Sequence, residues 1–414
     1  VKNNRFSLFI SQYQIEIALW TTLAMVLGFL CGRAILSVGM FLFSINAFWN
    51  KSPLTWLQKK WWLWGLSWTL LYLISYFWSS DIPYWHERVM VKLPFLTFTL
   101  GFACLPMLTQ RHIKFVYFGI GALLTAGCFY SLSFLMSDPQ KVLDGYYFSK
   151  VLPTPAYKDH IRFSVFAAWF VIWSCFMYRK MDTGVQKTAT IVLLLFISLF
   201  LHILAVRSGL LVLYTFILCY FVYLLIQKRF TWALSLFAGF CLISTVLYLS
   251  VPSLRNKIGY VRYTYAEYKK GNITADFSDM GRLISYDLAF KSIKEHPFIG
   301  VGAGDVRAAM KEKYEQFSPK TKPEQRIVPH NQILEVALAG GILMLIPFLI
   351  WLCYPLQYIN KSRAGFYVFS VWLGLFVSMM VEPMLEVQFG VFVYLFCLLW
   401  TLKTADTENG TLFN

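Results

Sequence analysis

Two arginines and one histidine stand at the predicted starts of helices, where unpaired backbone N–H groups and the positive helix end favour an anion and disfavour a cation. Arg207 lies in Ala205-Val206-Arg207-Ser208-Gly209, where one apolar run ends and the next begins with almost no loop. Free N–H groups beside a fixed guanidinium, with Ser208 next to it, suit a phosphate; a boundary arginine snorkelling to the interface is the structural alternative. Arg282 repeats the arrangement in the first turn of a helix expected from about Gly281 to Glu295, with a surface salt bridge to Asp279 or Asp287 as its alternative. His330 follows Pro329 and opens a long apolar helix reaching to about Trp351. There its imidazolium is disfavoured, so the ring is available to take a proton as a general base; Asn331 beside it is a helix-cap residue. Glu335, and Glu382 and Glu386 astride Pro383, are acids near the same boundary. Pairing with the arginines is the first expectation for them, because buried charges are usually paired, and orienting an acceptor is the second.

Positioning these groups falls to a membrane scaffold. Of the 414 residues 58% are hydrophobic and 14% charged, against about 25% charged in soluble domains. Apolar runs begin near Ile15, Ala34, Trp61, Val89, Phe115, Ile161, Ala189, Gly209, Trp232, Asn331, Phe366 and Glu386, which gives about twelve spans and an all-α, polytopic protein. The second run is short and the fourth contains Lys92 and Pro94. Trp56, Trp61, Trp62, Trp64, Trp78 and Trp85 gather near span ends, as amphipathic rings do at headgroup level.

The net charge of +16 is accounted for by topology, and no nucleic-acid partner is expected. With the N-terminus inside, every second short loop is basic: Lys2 and Arg5, Lys51 to Lys60, Arg111 and Lys114, Arg179 to Lys187, Lys228 and Arg229, Lys361 and Arg363, then Lys403. Residues 1–251 would then hold nine spans, 252–329 one long outer loop, 330–403 three spans, and 404–414 a polar inner tail without regular structure. The first run reads as an anchor and not a removable signal peptide. The eight cysteines lie in or beside apolar runs with no metal-ligand spacing, so neither disulfides nor a structural metal are expected.

Within the long loop the spacing predicts helices over about Ser253 to Lys270, Gly281 to Glu295, and Asp305 to Gln316, with Asp305 as an N-cap. Gly300-Val301-Gly302-Ala303-Gly304 superficially matches a dinucleotide fingerprint but follows His296-Pro297 and no strand, so it reads as a tight turn folding the loop back onto the membrane. A second outer segment, Ser137 to His160, would cover part of the same face.

The set formed by Arg207-Ser208-Gly209, by Gly281-Arg282-Leu283 through His296-Pro297 to the glycine turn, and by Pro329-His330-Asn331-Gln332-Ile333-Leu334-Glu335 resembles the O-antigen ligase and polymerase superfamily of bacterial inner-membrane glycan transferases. The resemblance covers the second half of the chain. It departs from the family where two histidines often stand, since here Val328 and Pro329 precede the single His330. It implies a C-type glycosyltransferase-like helical fold, no metal or other cofactor, a periplasm-facing site, and an undecaprenyl diphosphate-linked glycan as donor among membrane lipids. By the same resemblance Arg207 and Arg282 would hold the diphosphate and His330 would activate the acceptor, with inversion at the anomeric carbon. The acceptor would be the lipid A-core for a ligase, towards which the basic loop inclines the reading, or a second lipid-linked glycan for a polymerase; a protein acceptor ranks below both. A flippase or exporter of lipid-linked glycans is the alternative from another class, expected to show midplane charges and related halves that this sequence lacks.

Overall fold

The computed structural model describes residues 2–46, 60–148, 150–156, 159–270, 278–359 and 363–409. Trp56, Lys51, Lys59 and Lys361 of the sequence reading lie outside them. Helices in chain order are α1 (Lys2–Cys31), α2 (Arg33–Ile45), α3 (Lys60–Ile74), α4 (Ile82–Lys92), α5 (Pro94–Ala103), α6 (Gln110–Ser137), α7 (Pro139–Gly145), α8 (His160–Met177) and α9 (Gly184–Leu204). They continue as α10 (Arg207–Ile226), α11 (Phe230–Ser250), α12 (Pro252–Lys269), α13 (Ser278–Glu295), α14 (Val306–Phe317), α15 (Gln332–Cys353), α16 (Arg363–Val381) and α17 (Gln388–Asn409). No strand occurs among the described residues.

Nine helices among the described residues are long and apolar enough to cross a membrane, and they account for nine of the twelve expected runs. The other three, beginning near Ala34, Trp61 and Val89, differ for local reasons. α2 has 13 residues and α3 has 15, about 20 and 22 Å at 1.5 Å per residue, against about 30 Å of hydrocarbon. The Val89 run is divided into α4 and α5 at Leu93-Pro94, where proline removes a backbone donor and crowds the preceding turn. Nine full-length crossings are therefore what the described residues show of the twelve expected.

Cover by protein ranks the spans. In α17, 94% of the segment Gln388–Ala405 is buried, whereas in α11 only 6% of Phe230–Ser250 is, so α17 is the axis of the bundle and α11 faces outward. Aromatic side chains fill the space around the axis: Phe392 and Phe396 pack against Phe166, and Trp400 against Trp173. α17 also runs past the expected inner boundary at Lys403 to Asn409, with Lys403 buried and its Nζ donating to the Leu105 carbonyl at 2.6 Å. The start of the expected irregular tail is thus helical, and residues 410–414 lie outside the described set.

The loop helices fall where the spacing puts them, and the glycine turn docks in an unanticipated way. α15 is broken at Gly341 (φ 57, ψ −155), and the segment Pro297–Gly302 enters the break. Val301 and Gly302 N–H donate to the Leu338 and Ala339 carbonyls at 2.9 and 3.0 Å, and Ile342 and Leu343 N–H donate to the Pro297 and Phe298 carbonyls at 2.9 and 3.1 Å. Backbone groups freed within a membrane helix need partners, and the loop supplies all four. A Cβ on Gly300 (φ +63) would lie 2.5 Å from the Gly340 nitrogen, and one on Gly341 equally close to the Phe298 backbone. Gly300→Ala is expected to cost at least about 2 kcal/mol from the left-handed backbone and the clash together, read as a lower unfolding temperature in detergent. Gly259→Ala, where a Cβ meets nothing within 4 Å, serves as control; an equal response of the two variants would refute the docking account.

Candidate active site

Glu382 is the hub. It follows α16 at the head of a short turn into α17 and is buried, with its side chain 6% exposed. Its Oε1 lies 3.0 Å from an Arg162 terminal nitrogen, and its Oε2 lies 3.1 Å from His330 Nδ1 and 3.7 Å from Arg282. Burial alone would raise its pKa; the His330 hydrogen bond and the charges of Arg162 and Arg282 more than offset that and hold the carboxyl below its usual range. An ionised carboxylate only accepts, so His330 Nδ1 donates to it, and the neutral ring presents its lone pair at Nε2. A base oriented by a buried carboxylate, on a residue that lines a cavity, is the arrangement needed to take a proton from a hydroxyl.

Each contributor is placed by local chemistry. Asp159 caps α8 by accepting from the Arg162 N–H at 3.1 Å, and the same oxygen stands 3.5 Å from the Arg162 guanidinium. Asn331 caps α15, its Oδ1 accepting from the N–H of Ile333 and Leu334 at 2.9 and 3.2 Å, while its Nδ2 donates to the Met380 carbonyl at 3.1 Å. The cap thereby ties the residue after His330 to the end of α16, two residues before Glu382. Tyr286 of α13 donates to the His330 carbonyl at 2.7 Å, which joins the loop helix carrying Arg282 to the same point. Arg282 is the fifth residue of α13 and not in its first turn, because the helix starts at Ser278. Asp287, one of its expected partners, pairs instead with Lys291 at 2.8 Å; the side chain of Asp279 lies outside the described residues.

Arg207 is the first residue of α10, after Ala205 in the left-handed conformation (φ 49) and Val206 as N-cap. The tight break is therefore as the sequence reads it. A Cβ on Gly209 would stand 2.7 Å from the Ser164 carbonyl oxygen, so α10 and α8 touch backbone to backbone there. Both helices run away from this end, and Arg207 and Arg162, each two residues earlier, lie at one level. Ser208 is buried beside them. Tyr146 in the expected covering segment is within hydrogen-bond range of the Ile203 and Leu204 carbonyls at 3.2 and 3.1 Å, which covers the end of α9 at that break.

Glu386 anchors a second buried cluster. Lys92 Nζ lies 2.7 Å from its Oε1, Gln332 Nε2 donates to the same oxygen at 2.7 Å, and Arg88 stands 3.5 Å from Oε2. Burial would raise its pKa, and Lys92 and Arg88 outweigh that and lower it. Gln332 also accepts from the Leu385 N–H at 2.7 Å, so it locks the turn between Glu382 and Glu386 onto the helix that begins two residues after His330. Glu335, in the first turn of α15, is buried within the field of Glu386, Arg88, Lys92 and Arg307, and its Oε2 makes no hydrogen bond. Pairing with cations is thus the outcome for Glu382 and Glu386. Asp305 departs from expectation: its carboxylate does not cap α14 but accepts from the N–H of Ser80 and Asp81 at 2.8 and 3.0 Å, pinning the loop to the start of α4.

A cavity of about 420 Å³ opens at His330, lined by Arg307, Lys311 and Arg326 among other loop residues. Sequence reasoning missed those three and Arg162. Arg162 carries the signal used for Arg207, a cation in the first turn of an apolar run. The loop cations carry none, because which of many loop arginines and lysines face a cavity is decided only by folding.

Residues 191–349 match the family model described as O-Antigen ligase, whereas no curated protein matches the chain. The matched stretch runs from α9 through the loop into α15 and contains Arg207, Arg282 and His330, while Arg162, Glu382 and Glu386 come from outside it. The chain has the helices of a multi-pass membrane protein, and its residues 191–349 are similar to the O-antigen ligase family.

Proposed function

We propose that the protein is an O-antigen ligase, transferring a glycan from undecaprenyl diphosphate to a hydroxyl of the lipid A-core at the extracytoplasmic face of the bacterial inner membrane. The observation that carries the reading is the His330–Glu382 pair with Arg162 and Arg282 beside a cation-lined cavity. His330 Nε2 takes the acceptor proton as the hydroxyl oxygen bonds to the anomeric carbon. The bond from that carbon to the diphosphate oxygen breaks on the opposite face, and its electron pair leaves with the lipid diphosphate. Inversion follows. The Arg207 and Arg282 guanidiniums stabilise that leaving charge by bidentate hydrogen bonds, the task a divalent cation performs elsewhere. The cavity cations Arg307, Lys311 and Arg326 suit an anionic acceptor core, which favours ligase over polymerase. Concentration of the charged cluster at one end of the bundle favours an enzyme over a flippase.

Purified protein given a labelled lipid-diphosphate glycan and lipid A-core should form a single larger glycolipid, and do so in excess EDTA. Growth of a ladder on the lipid donor alone would make it a polymerase, and loss of activity with EDTA would end the metal-free account. Arg207→Lys and Arg282→Lys are each expected to weaken donor binding about tenfold, since a point charge cannot reproduce the guanidinium fork. Unchanged affinity in both would remove the diphosphate assignment.

A further inference from the structure

A second cavity, of about 770 Å³, is far from His330 and belongs to nothing so far derived. It lies between the far ends of α8, α9, α10 and α16. Arg179 in its lining follows Arg162 by seventeen positions along α8 and its terminal turn, about 25 Å at the helical rise. The walls are apolar, with Ile191 and Phe216 among them, and Tyr220 contributes an amphipathic ring. Three cations, Arg179, Lys180 and Arg229, also line the cavity, and none of the lining residues described is acidic. Arg179 and Arg229 are exposed, and Arg229 directly precedes α11, the span with almost no protein cover. The mouth therefore borders the lipid side of the bundle.

An apolar volume in the size range of small-ligand sites, about 300 to 1,000 Å³, with cations of one sign at its rim calls for an amphiphile carrying an anionic head. Basic pockets between membrane helices take phospholipid headgroups on these terms. We propose that this cavity binds an anionic glycerophospholipid, its phosphate between Arg179, Lys180 and Arg229 and an acyl chain along Ile191 and Phe216. Two exposed guanidiniums can each offer a fork to the phosphate oxygens. A zwitterionic lipid brings its own cation to the same rim and loses that advantage. Free phosphate satisfies the head but leaves the apolar wall uncovered.

The test is native mass spectrometry of the full chain in detergent, titrated with phosphatidylglycerol, phosphatidylcholine or inorganic phosphate. Phosphatidylglycerol should bind at least tenfold more tightly than the other two. Arg179→Ala/Arg229→Ala should abolish that preference, whereas Arg111→Ala/Lys187→Ala, which removes two exposed cations outside the cavity lining, should keep it. Ile191→Trp, which fills the cavity with no change of charge, should weaken phosphatidylglycerol binding about tenfold and guards against a misfolded arginine variant. Equal binding of phosphatidylcholine, phosphate binding as tightly as the lipid, equal loss in the control pair, or full binding by Ile191→Trp would each overturn the proposal.

Discussion

Replacing His330 by alanine is expected to lower glycan transfer by about 10²- to 10⁴-fold, the contribution typical of a positioned general base, while the lipid-linked donor still binds. The separation follows from geometry. His330 reaches the hub through Glu382 Oε2 alone, while Arg162 meets the other oxygen, so the cations remain held when the imidazole is gone. Asn331 keeps the cap on α15 through its own side chain, and the Tyr286 hydrogen bond goes to the backbone carbonyl of residue 330 and not to the ring. Truncation therefore removes the base with little else. Transfer rate and donor affinity measured on one purified sample decide the matter: parental transfer by His330→Ala would show that the proton goes elsewhere, and parallel loss of affinity would make His330 a binding group.

Much of this site is legible in the sequence because a cation or imidazole at the edge of an apolar run is conspicuous at short range. Arg207 at a loopless break and His330 between Pro329 and an apolar helix are read from five or six neighbouring residues. The same range limits the reading. Lys92 counts in sequence as a flaw in a span, yet it is the cation that neutralises Glu386, 294 positions away. Arg282 is expected in the first turn of a helix from about Gly281, with Ser278 or Asp279 as its start signal, whereas Ser278 is already the first helical residue and Arg282 the fifth. The run from Asn331 to Trp351 predicts one uninterrupted rod, because its mean hydropathy is high throughout. Gly340-Gly341 in its middle is the available warning, and its meaning rests on Pro297–Gly302 arriving to satisfy the broken ladder.

Glu382→Gln is expected to destabilise the fold by about 3 to 5 kcal/mol, the cost typical of leaving a buried charge without its counter-ion. Arg162 is the residue left behind: it is buried, and with Glu382 neutral the carboxylate that faces it among the described residues is Asp159, at 3.5 Å. Arg282, with its side chain 25% exposed, turns to solvent and contributes less. A double variant, Arg162→Met/Glu382→Gln, removes the orphaned cation and should recover part of the loss, so the two substitutions combine to less than their sum. The acid limb of stability gives an independent reading. A carboxyl whose folded pKa lies below its unfolded value, near 4.3 for Glu, contributes stability that is complete above that value and is lost as pH falls through the folded pKa. The parent should therefore lose unfolding temperature below about pH 4, and Glu382→Gln should lack that portion of the loss while starting from a lower plateau. Strict additivity in the cycle together with an unchanged acid limb would mean that Glu382 and Arg162 are not coupled, and the hub would have to be sought elsewhere.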